Sequence, residues 1–228
     1  SDLMMNLYKI PRNVNLADVA DYSSVNSSGI ETQKYWTTSS IYMNPYWTVK
    51  NTHRDEVRNR INGLVALKYD LTSWLSLQGR VSYDRYDDNI IDKFSNNTLL
   101  FAKAGGSFSV GNIRVSEQNM DLLLTGNNKI SNDLSINYNL GTSILKKKLN
   151  TSITNANGLL VPNRFDLSFA ANLSTLTANV ESELQSVYGT TQLSFRDYLF
   201  LDVTARNDWS STLPKPHSYF YPSFGVTA

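Results

Sequence analysis

Strict alternation of apolar and polar side chains is the feature that most limits what this chain can fold into. From Leu75 to Tyr83 the odd positions carry Leu, Leu, Gly, Val and Tyr, whereas the even positions carry Ser, Gln, Arg and Ser. Successive side chains of a β-strand point to opposite faces, so this segment is apolar on one face and polar on the other. The same pattern recurs over 61–69, 134–141 and 199–206. The sequence therefore predicts an all-β protein.

The charge balance and the amino-acid composition exclude several classes of protein. The formal charge of +1 argues against a nucleic-acid partner, since nucleic-acid-binding domains carry a dense basic surface. The chain has no Cys, which excludes disulfides, Cys-ligated zinc and thiol catalysis. Its two histidines, His53 and His217, lie far apart in the sequence, and no catalytic motif accompanies them. We expect neither an enzyme nor a bound cofactor or metal.

The connections between the predicted strands alternate in length. Short turns are predicted at Asp70–Ser73, Gly126–Asp133 and Arg196–Tyr198, and long connections at Asp87–Asn112, Lys146–Glu183 and Ser210–Ser218. The predicted strands are near Ser39–Thr48 and at 60–70, 74–86, 113–126, 133–145, 184–209 (a hairpin pair) and 219–228. Seven or eight antiparallel strands with short turns at one end and long loops at the other are typical of an up-and-down transmembrane β-barrel wall.

A soluble β-sandwich is the alternative, because its strands also bury an apolar face. Two features favour the barrel. Charged residues, amides and hydroxyls share the polar face, as in a water-filled lumen. Aromatic residues lie near the strand ends, where lipid meets water in a membrane barrel; they are Tyr69, Trp74, Tyr83, Tyr86, Tyr198, Trp209, Tyr219 and Tyr221.

Five segments carry a resemblance to one protein family. They are NPYW at 44–47, GLLVPNRFDL at 158–167, SVYG at 186–189, RDYLFLDVTARNDWSSTLP at 196–214 and SYFYPSFG at 218–225. These segments resemble the mid-barrel region of the SusC/RagA family, the TonB-dependent outer-membrane transporters of Gram-negative bacteria that import glycans or peptides. The resemblance covers about 35–228. Barrels of this type have about 22 strands, so the whole of 1–228 is expected to be part of such a barrel domain, without a plug domain or signal peptide.

The resemblance also implies a mechanism and partners. A plug occludes the barrel, TonB transmits energy that opens a path, and a SusD-like surface lipoprotein forms a lid on the extracellular loops. The wall itself faces outer-membrane lipid on one side and an oligosaccharide or peptide substrate on the other. Two other functions remain open at this stage: a passive outer-membrane porin or structural barrel, and a secreted β-rich binding protein.

Two sets of residues are candidates for contact with substrate or partners. Charged residues predicted on the lumen face are Arg80, Asp84, Asp202, Arg206 and Asp208, with mutual charge pairing as the alternative role. Aromatic residues that suit stacking on a sugar or contact with the lid are Trp36, Tyr42, Tyr46 and Trp47, with packing or membrane anchoring as the alternative. The acidic group Asp84, Asp87, Asp88 and Asp92 lacks the spacing of a calcium loop, so we expect solvated carboxylates there.

Overall fold

The computed structural model describes residues 3–35, 43–99 and 101–228. Its α-helices are α1 (Leu3–Tyr8) and α2 (Pro45–Asn51), with short 3-10 helices at Leu16–Val19 and Leu167–Phe169. The strands are β1 (Ser23–Val25), β2 (Glu31–Gln33), β3 (Thr52–Asp70), β4 (Leu75–Phe94), β5 (Ser107–Lys129), β6 (Leu134–Asn157), β7 (Leu173–Phe195), β8 (Leu199–Ser210) and β9 (Ser218–Thr227). Within these residues, no helix has the length and apolarity that crossing a membrane requires.

One seven-stranded sheet contains β3 to β9, and every strand lies beside its neighbours in sequence. This is the predicted all-β, antiparallel, up-and-down order. β1 and β2 form a separate two-stranded sheet. The turn at Arg196–Tyr198 is confirmed, and Arg196 and Asp197 adopt φ angles of 51° and 55°, which a tight hairpin turn requires. The turn predicted at Gly126–Asp133 is shorter than expected, because β5 continues through Gly126 to Lys129.

The strands run further than the alternation predicts. β4 continues to Phe94 and β5 begins at Ser107, so the predicted loop Asp87–Asn112 contains only residues 95–106 as a connection. In the same way, β6 and β7 reduce the predicted loop Lys146–Glu183 to residues 158–172. Both long-loop boundaries predicted from the sequence are therefore wrong. Only the connection after β8, residues 211–217, agrees with its predicted bounds.

The strand predicted near Ser39–Thr48 is also wrong in the part that the structure describes. Pro45–Asn51 forms helix α2 instead. Asn44 caps this helix, since its side-chain oxygen accepts a hydrogen bond from the Tyr46 N–H at 2.9 Å, and proline suits the first helical position because it has no N–H to satisfy. Residues 39–42 lie outside the described part.

The chain divides into two compact units. The first unit comprises Ser1–Arg58, Asp87–Ile113 and Thr151–Ala178. One buried group in this unit surrounds α2, where the Trp47 indole N–H donates to Thr98 Oγ1 at 3.0 Å and both residues are at most 1% exposed. Asn44 is equally buried, and its amide donates to the carbonyl oxygens of Val19 and Lys34. These bonds satisfy the buried polar groups that attach the N-terminal segment.

The two connections of the first unit are bonded to each other. The Asn163 N–H donates to the Gly105 carbonyl at 2.9 Å, and the Asn96 N–H donates to Asn163 Oδ1 at 2.7 Å. Gly105 has a φ of +79°, and a Cβ added there would lie 1.9 Å from the Leu159 carbonyl oxygen. Only glycine fits this position. Residues 158–172 contribute to a small core of Phe108, Ala156 and Leu159, with Ile91, Phe165, Leu167 and Ala170 packed against it.

The second unit comprises Asn59–Tyr86, Arg114–Asn150 and Asn179–Ala228. It contains the predicted alternating segments, together with all of β8 and β9. The register of β7 with β8 places Leu193 opposite Leu201, and the register of β8 with β9 places Val226 opposite Leu201. Residues that are directly opposite share a face, so Leu193, Leu201 and Val226 lie on one face. By period-two alternation Leu199 and Val203 share this face with Leu201, as predicted.

Candidate functional site: the polar face of the second unit

The polar face of the second unit is fixed by contacts between neighbouring strands. Arg80 on β4 donates to Asp121 on β5 at 2.8 Å, which places both side chains on one face. Gly79 and Leu122, the adjacent residues, face the other way, and a Cβ on Gly79 would lie 3.3 Å from Leu122 Cδ2. Period-two alternation extends this assignment along each strand. The even positions of β4 and the odd positions of β5 therefore belong to the polar face.

Uncharged side chains continue the polar face across β5, β6 and β7. Thr125 Oγ1 donates to Asn139 Oδ1 at 2.8 Å, and Asn139 Nδ2 donates to Thr190 Oγ1 at 3.1 Å. Thr190 lies directly opposite Thr204 of β8. Hydroxyls and amides of this kind both donate and accept, so the face offers hydrogen-bonding groups to water or to a polar solute.

Arg206 is the centre of a patch on β7, β8 and β9. In the register, Arg206 lies opposite Tyr188 on one side and Tyr221 on the other. Its guanidinium donates to Asp208 at 2.7 Å and to Ser186 Oγ at 3.0 Å, and its Cζ lies 5.7 Å from the centroid of the Tyr188 ring. The patch therefore combines a paired cation with an aromatic face.

The other polar-face residues of β8 and β9 near Arg206 also have defined neighbours. Asp208 lies opposite Tyr219, and the rings of Tyr219 and Tyr221 stack with centroids 6.3 Å apart. Both rings are about half exposed, at 48% and 50%. Asp202 accepts a hydrogen bond from Gln192 at 2.9 Å. Stacked, half-exposed tyrosine rings beside an ion pair form a surface that suits polar solutes with apolar faces.

The pairing of the predicted charged residues differs in part from expectation. Arg206 and Asp208 do pair with each other. Arg80 and Asp84 lie on the same face of β4 but do not pair with each other. Instead, Arg80 pairs with Asp121. Asp84 accepts two hydrogen bonds from Arg60, at 2.9 and 2.6 Å. Arg60 and Asp121 are absent from the predicted site, because nothing in the sequence gives the register of β4 against its neighbours.

The predicted aromatic contacts fall into two groups. Trp36 and Tyr42 lie outside the described residues. Trp47 is 1% exposed, so no face of its ring is open to a sugar, and the structure gives it the packing role that was the alternative. Tyr46, the neighbouring residue of α2, is half-buried. Of the described pair, only Tyr46 keeps an accessible surface.

The carboxylates at the end of β4 pair with arginine side chains and are not arranged to bind a metal ion. Within the first unit, Asp88 accepts from Arg58 at 2.6 and 2.7 Å, and Asp92 accepts from Arg54 at 3.2 and 3.3 Å. Among the described residues, no group of three or more acidic or histidine side chains is arranged to hold a metal. Guanidinium groups already satisfy these carboxylates.

The opposite face of the second unit carries an apolar band with charged residues beyond it. The band consists, on β6, β7 and β8, of Ile136, Tyr138, Leu140, Thr142, Ile144, Val187, Gly189, Thr191, Leu193, Phe195, Leu199, Leu201, Val203 and Ala205. Leu140 packs against Gly189, which places the two strands' band residues together. On the same face, Lys146 pairs with Glu183 at 3.2 Å and Lys148 with Glu181 at 2.9 Å. These Lys–Glu pairs end the apolar band.

The chain is similar to three solved structures of the RagAB peptide transporter. The first superposes with a TM-score of 0.74 at 15% identity, over 87% of this chain and 23% of that one. The importer in the open-open state gives 0.73 at 15% identity, over 88% and 23%. The closed-closed state gives 0.68 at 14% identity, over 90% and 22%. No family model and no curated protein sequence matches the chain.

The chain has the fold of a part of the RagAB peptide transporter. This finding confirms, for the fold, the resemblance to the SusC/RagA family that the sequence segments carry. The chain spans a little under a quarter of the length of the solved chains it matches. The activity, substrates and partners of a whole transporter are therefore proposals for this chain.

Proposed function

We propose that residues 1–228 form part of the barrel wall of a TonB-dependent transporter in the outer membrane of a Gram-negative bacterium. The similarity to RagAB, with a TM-score of 0.74 over 87% of the chain, is the observation that carries the proposal. A consecutive seven-stranded antiparallel sheet with one apolar and one polar face supports it, because such a sheet separates lipid from water.

The dimensions of the apolar band suit a membrane. From Ile136 to Ile144 on β6, and from Val187 to Phe195 on β7, the band spans nine residues. A tilted strand needs about 9–11 residues to cross the hydrocarbon layer. The Lys–Glu pairs beyond the band would then lie where lipid meets water. Since a charged side chain at the centre of a bilayer is costly, their position on this face would mark one boundary of the membrane.

The polar face would line the lumen. Arg80, Asp84, Asp202, Arg206 and Asp208 would then face the substrate path. Their bonds to Asp121, Arg60, Gln192 and Ser186 hold each side chain in place. We infer that the paired residues keep the wall rigid, whereas the half-exposed rings of Tyr219 and Tyr221 are available to a passing peptide or oligosaccharide.

The connections at 95–106, 158–172 and 211–217 would face the outside of the cell, and the short turns the periplasm. Outer-membrane barrels keep short turns on the periplasmic side because the longer loops carry recognition. A SusD-like lipoprotein would rest on the outer loops as a lid, as the pairing named in RagAB suggests. TonB would act through the plug of the whole protein, so the wall itself performs no chemistry.

TonB-dependent uptake by the full-length protein tests the function. Cells that express it, with and without TonB, would receive a labelled peptide mixture and a labelled oligosaccharide mixture. We expect accumulation of one mixture only in cells with TonB. Uptake that continues without TonB would indicate a passive porin instead. Recovery of the full-length protein from the culture medium, rather than from the outer-membrane fraction, would indicate a secreted binding protein.

A further inference from the structure

Two arginines on the polar face of the second unit are held in place by only part of their donor groups. Arg80 donates through Nε to Asp121 at 2.8 Å, and Arg206 donates through Nε to Asp208 at 2.7 Å. The two carboxylates are 6% and 16% exposed, whereas the two arginine side chains are 44% and 43% exposed. A guanidinium has five N–H donors in a planar fork, so each ion pair fixes its arginine and leaves further donors.

These further donors are on the η nitrogens. Nη2 of Arg206 donates to Ser186 Oγ at 3.0 Å. In the part of the chain that the structure describes, no partner holds Nη1 of Arg206 or either η nitrogen of Arg80. Both guanidinium groups can therefore donate to a carboxylate from outside without giving up their own partners.

The strand register shows where the Arg80 guanidinium lies. Its partner Asp121 is on β5. Thr125 of β5 bonds Asn139 of β6, and the Lys–Glu pair between these strands follows the same register. Four residues back along β5 correspond to four residues forward along β6 in an antiparallel pair. Asp121 therefore lies opposite Ser143.

The same count continues from β6 to β7. Tyr188 covers Gly141, since a Cβ on Gly141 would lie 2.2 Å from Tyr188 Cζ, and the Lys–Glu pairs between β6 and β7 follow the same register. Two residues further along β6, Ser143 therefore lies opposite Ser186, the residue to which Arg206 donates. One row across the sheet thus contains the partner of Arg80 on β5, Ser143 on β6 and a partner of Arg206 on β7.

The row sets the distance between the two guanidinium groups. Neighbouring strands are about 4.7–4.9 Å apart, so groups bonded to β5 and to β7 are about 9–10 Å apart. The small side chain of Ser143 lies between them, and the ring of Tyr188 covers the neighbouring Gly141. Two arginines with available donors therefore flank a short polar gap bordered by an aromatic ring.

We infer that Arg80 and Arg206 select peptides that carry two carboxylates three residues apart, as in Glu-x-x-Glu. Unfolded peptides often adopt the polyproline II conformation, in which three residues make one turn and rise about 9.3 Å. Side chains at i and i+3 then point the same way at the spacing of the two guanidinium groups, and arginine binds carboxylates through paired N–H donors. This inference rests on the proposed function, which makes the polar face the lumen.

Competitive uptake tests the spacing. Cells that express the full-length protein and TonB would receive three differently labelled peptides with blocked termini: Gly-Glu-Ala-Ala-Glu-Gly, its isomer Gly-Ala-Glu-Glu-Ala-Gly, and Gly-Gln-Ala-Ala-Gln-Gly. Each partly exposed ion pair contributes about threefold. We therefore expect the first peptide to accumulate about threefold over its isomer, which reaches one arginine at a time, and about tenfold over the glutamine peptide. These ratios do not depend on how much protein assembles.

Arg80→Lys and Arg206→Lys are the test variants. Each keeps a cation beside its aspartate but has one side-chain nitrogen in place of three, so each should abolish the preference between the two acidic isomers. Lys147→Gln is the matched control. Lys147 lies on the same face, four residues along β6 from Ser143, and bonds Glu117 at 2.8 Å. This variant removes a positive charge outside the row and should leave both ratios unchanged.

Several results would overturn the inference and leave the transporter in place. They are equal TonB-dependent uptake of the three peptides, unchanged ratios in both lysine variants, and TonB-dependent uptake of oligosaccharides alone. Uptake of the peptides that continues without TonB would instead contradict the proposed function, and the selection by Arg80 and Arg206 with it.

Discussion

An arginine substituted into the apolar band should impair assembly of the barrel. The loss should be greatest where the substituted residue lies deepest in the bilayer. Val203 on β8 lies on the apolar face, opposite Thr191 on one side and Phe224 on the other. Thr204, the next residue, lies on the polar face between Thr190 and Ser223. Val203→Arg and Thr204→Arg therefore add the same side chain one position apart, one into lipid and one into the lumen.

The magnitude follows from the position of Val203 along the strand. A span of nine residues, as on β6 and β7, runs on β8 from Leu199 to Asn207, which is about 27 Å along the strand and about 20 Å across the membrane at a tilt of about 40°. Val203 lies at the midpoint of that segment, where an arginine costs about 2–4 kcal/mol. This cost corresponds to a factor of roughly 30 to several hundred in the assembly equilibrium. Leu199→Arg, beside the turn, should cost about 0–1 kcal/mol.

Heat-modifiable migration of the full-length protein on gels measures the assembled fraction. We expect little folded band for Val203→Arg, an intermediate amount for Leu201→Arg, and nearly the normal amount for Leu199→Arg and Thr204→Arg. The same order should hold for β4, with Leu77→Arg more harmful than Gln78→Arg. Val203→Arg that assembles as well as Thr204→Arg would refute the assignment of this face to lipid.

Three further predictions concern the loops and two glycines. With the full-length protein in whole cells, Leu160→Cys, at a position that is 71% exposed, should react with a membrane-impermeant maleimide, whereas Ser73→Cys should react only after the outer membrane is broken; the reverse pattern would invert the topology. Gly141→Ala should lower the free energy of unfolding of the assembled protein by about 1–3 kcal/mol, since its Cβ would lie 2.2 Å from Tyr188 Cζ; an unchanged melting temperature would contradict the close packing. Gly105→Ala should expose residues 158–172 to protease without lowering the heat-modifiable fraction, and unaltered proteolysis would show that the two connections do not depend on each other.

The sequence predicts the fold best where the two faces of a strand have different surroundings. Over Leu75–Tyr83, lipid on one face and water on the other would require the apolar–polar alternation that the sequence shows. Beyond Tyr86 that requirement ends, because protein covers the sheet of the first unit. Ile90 is buried on the same side as Asp88, and Ile91 packs against the core around Phe108 and Leu159. Alternation is lost there although the strand continues, which is why the predicted strands are too short.

The sequence predicts on which face of the sheet the charged residues of the candidate site lie, but not which residues they bind. Period-two alternation correctly places Arg80 and Asp84 on one face of β4, since that property depends on one strand alone. The bonds of Arg80 to Asp121 and of Asp84 to Arg60 depend on how neighbouring strands align, and a hairpin's register is set by its turn. Where the turn prediction was accurate, at Arg196–Tyr198, the alignment of β7 with β8 follows from it. The turn after β5 is predicted to begin at Gly126, although the strand continues to Lys129. Counting back from the predicted turn would therefore place the wrong residues of β6 opposite Asp121. Errors of a few residues at a turn therefore leave the face of a charged residue intact and change the residue it binds.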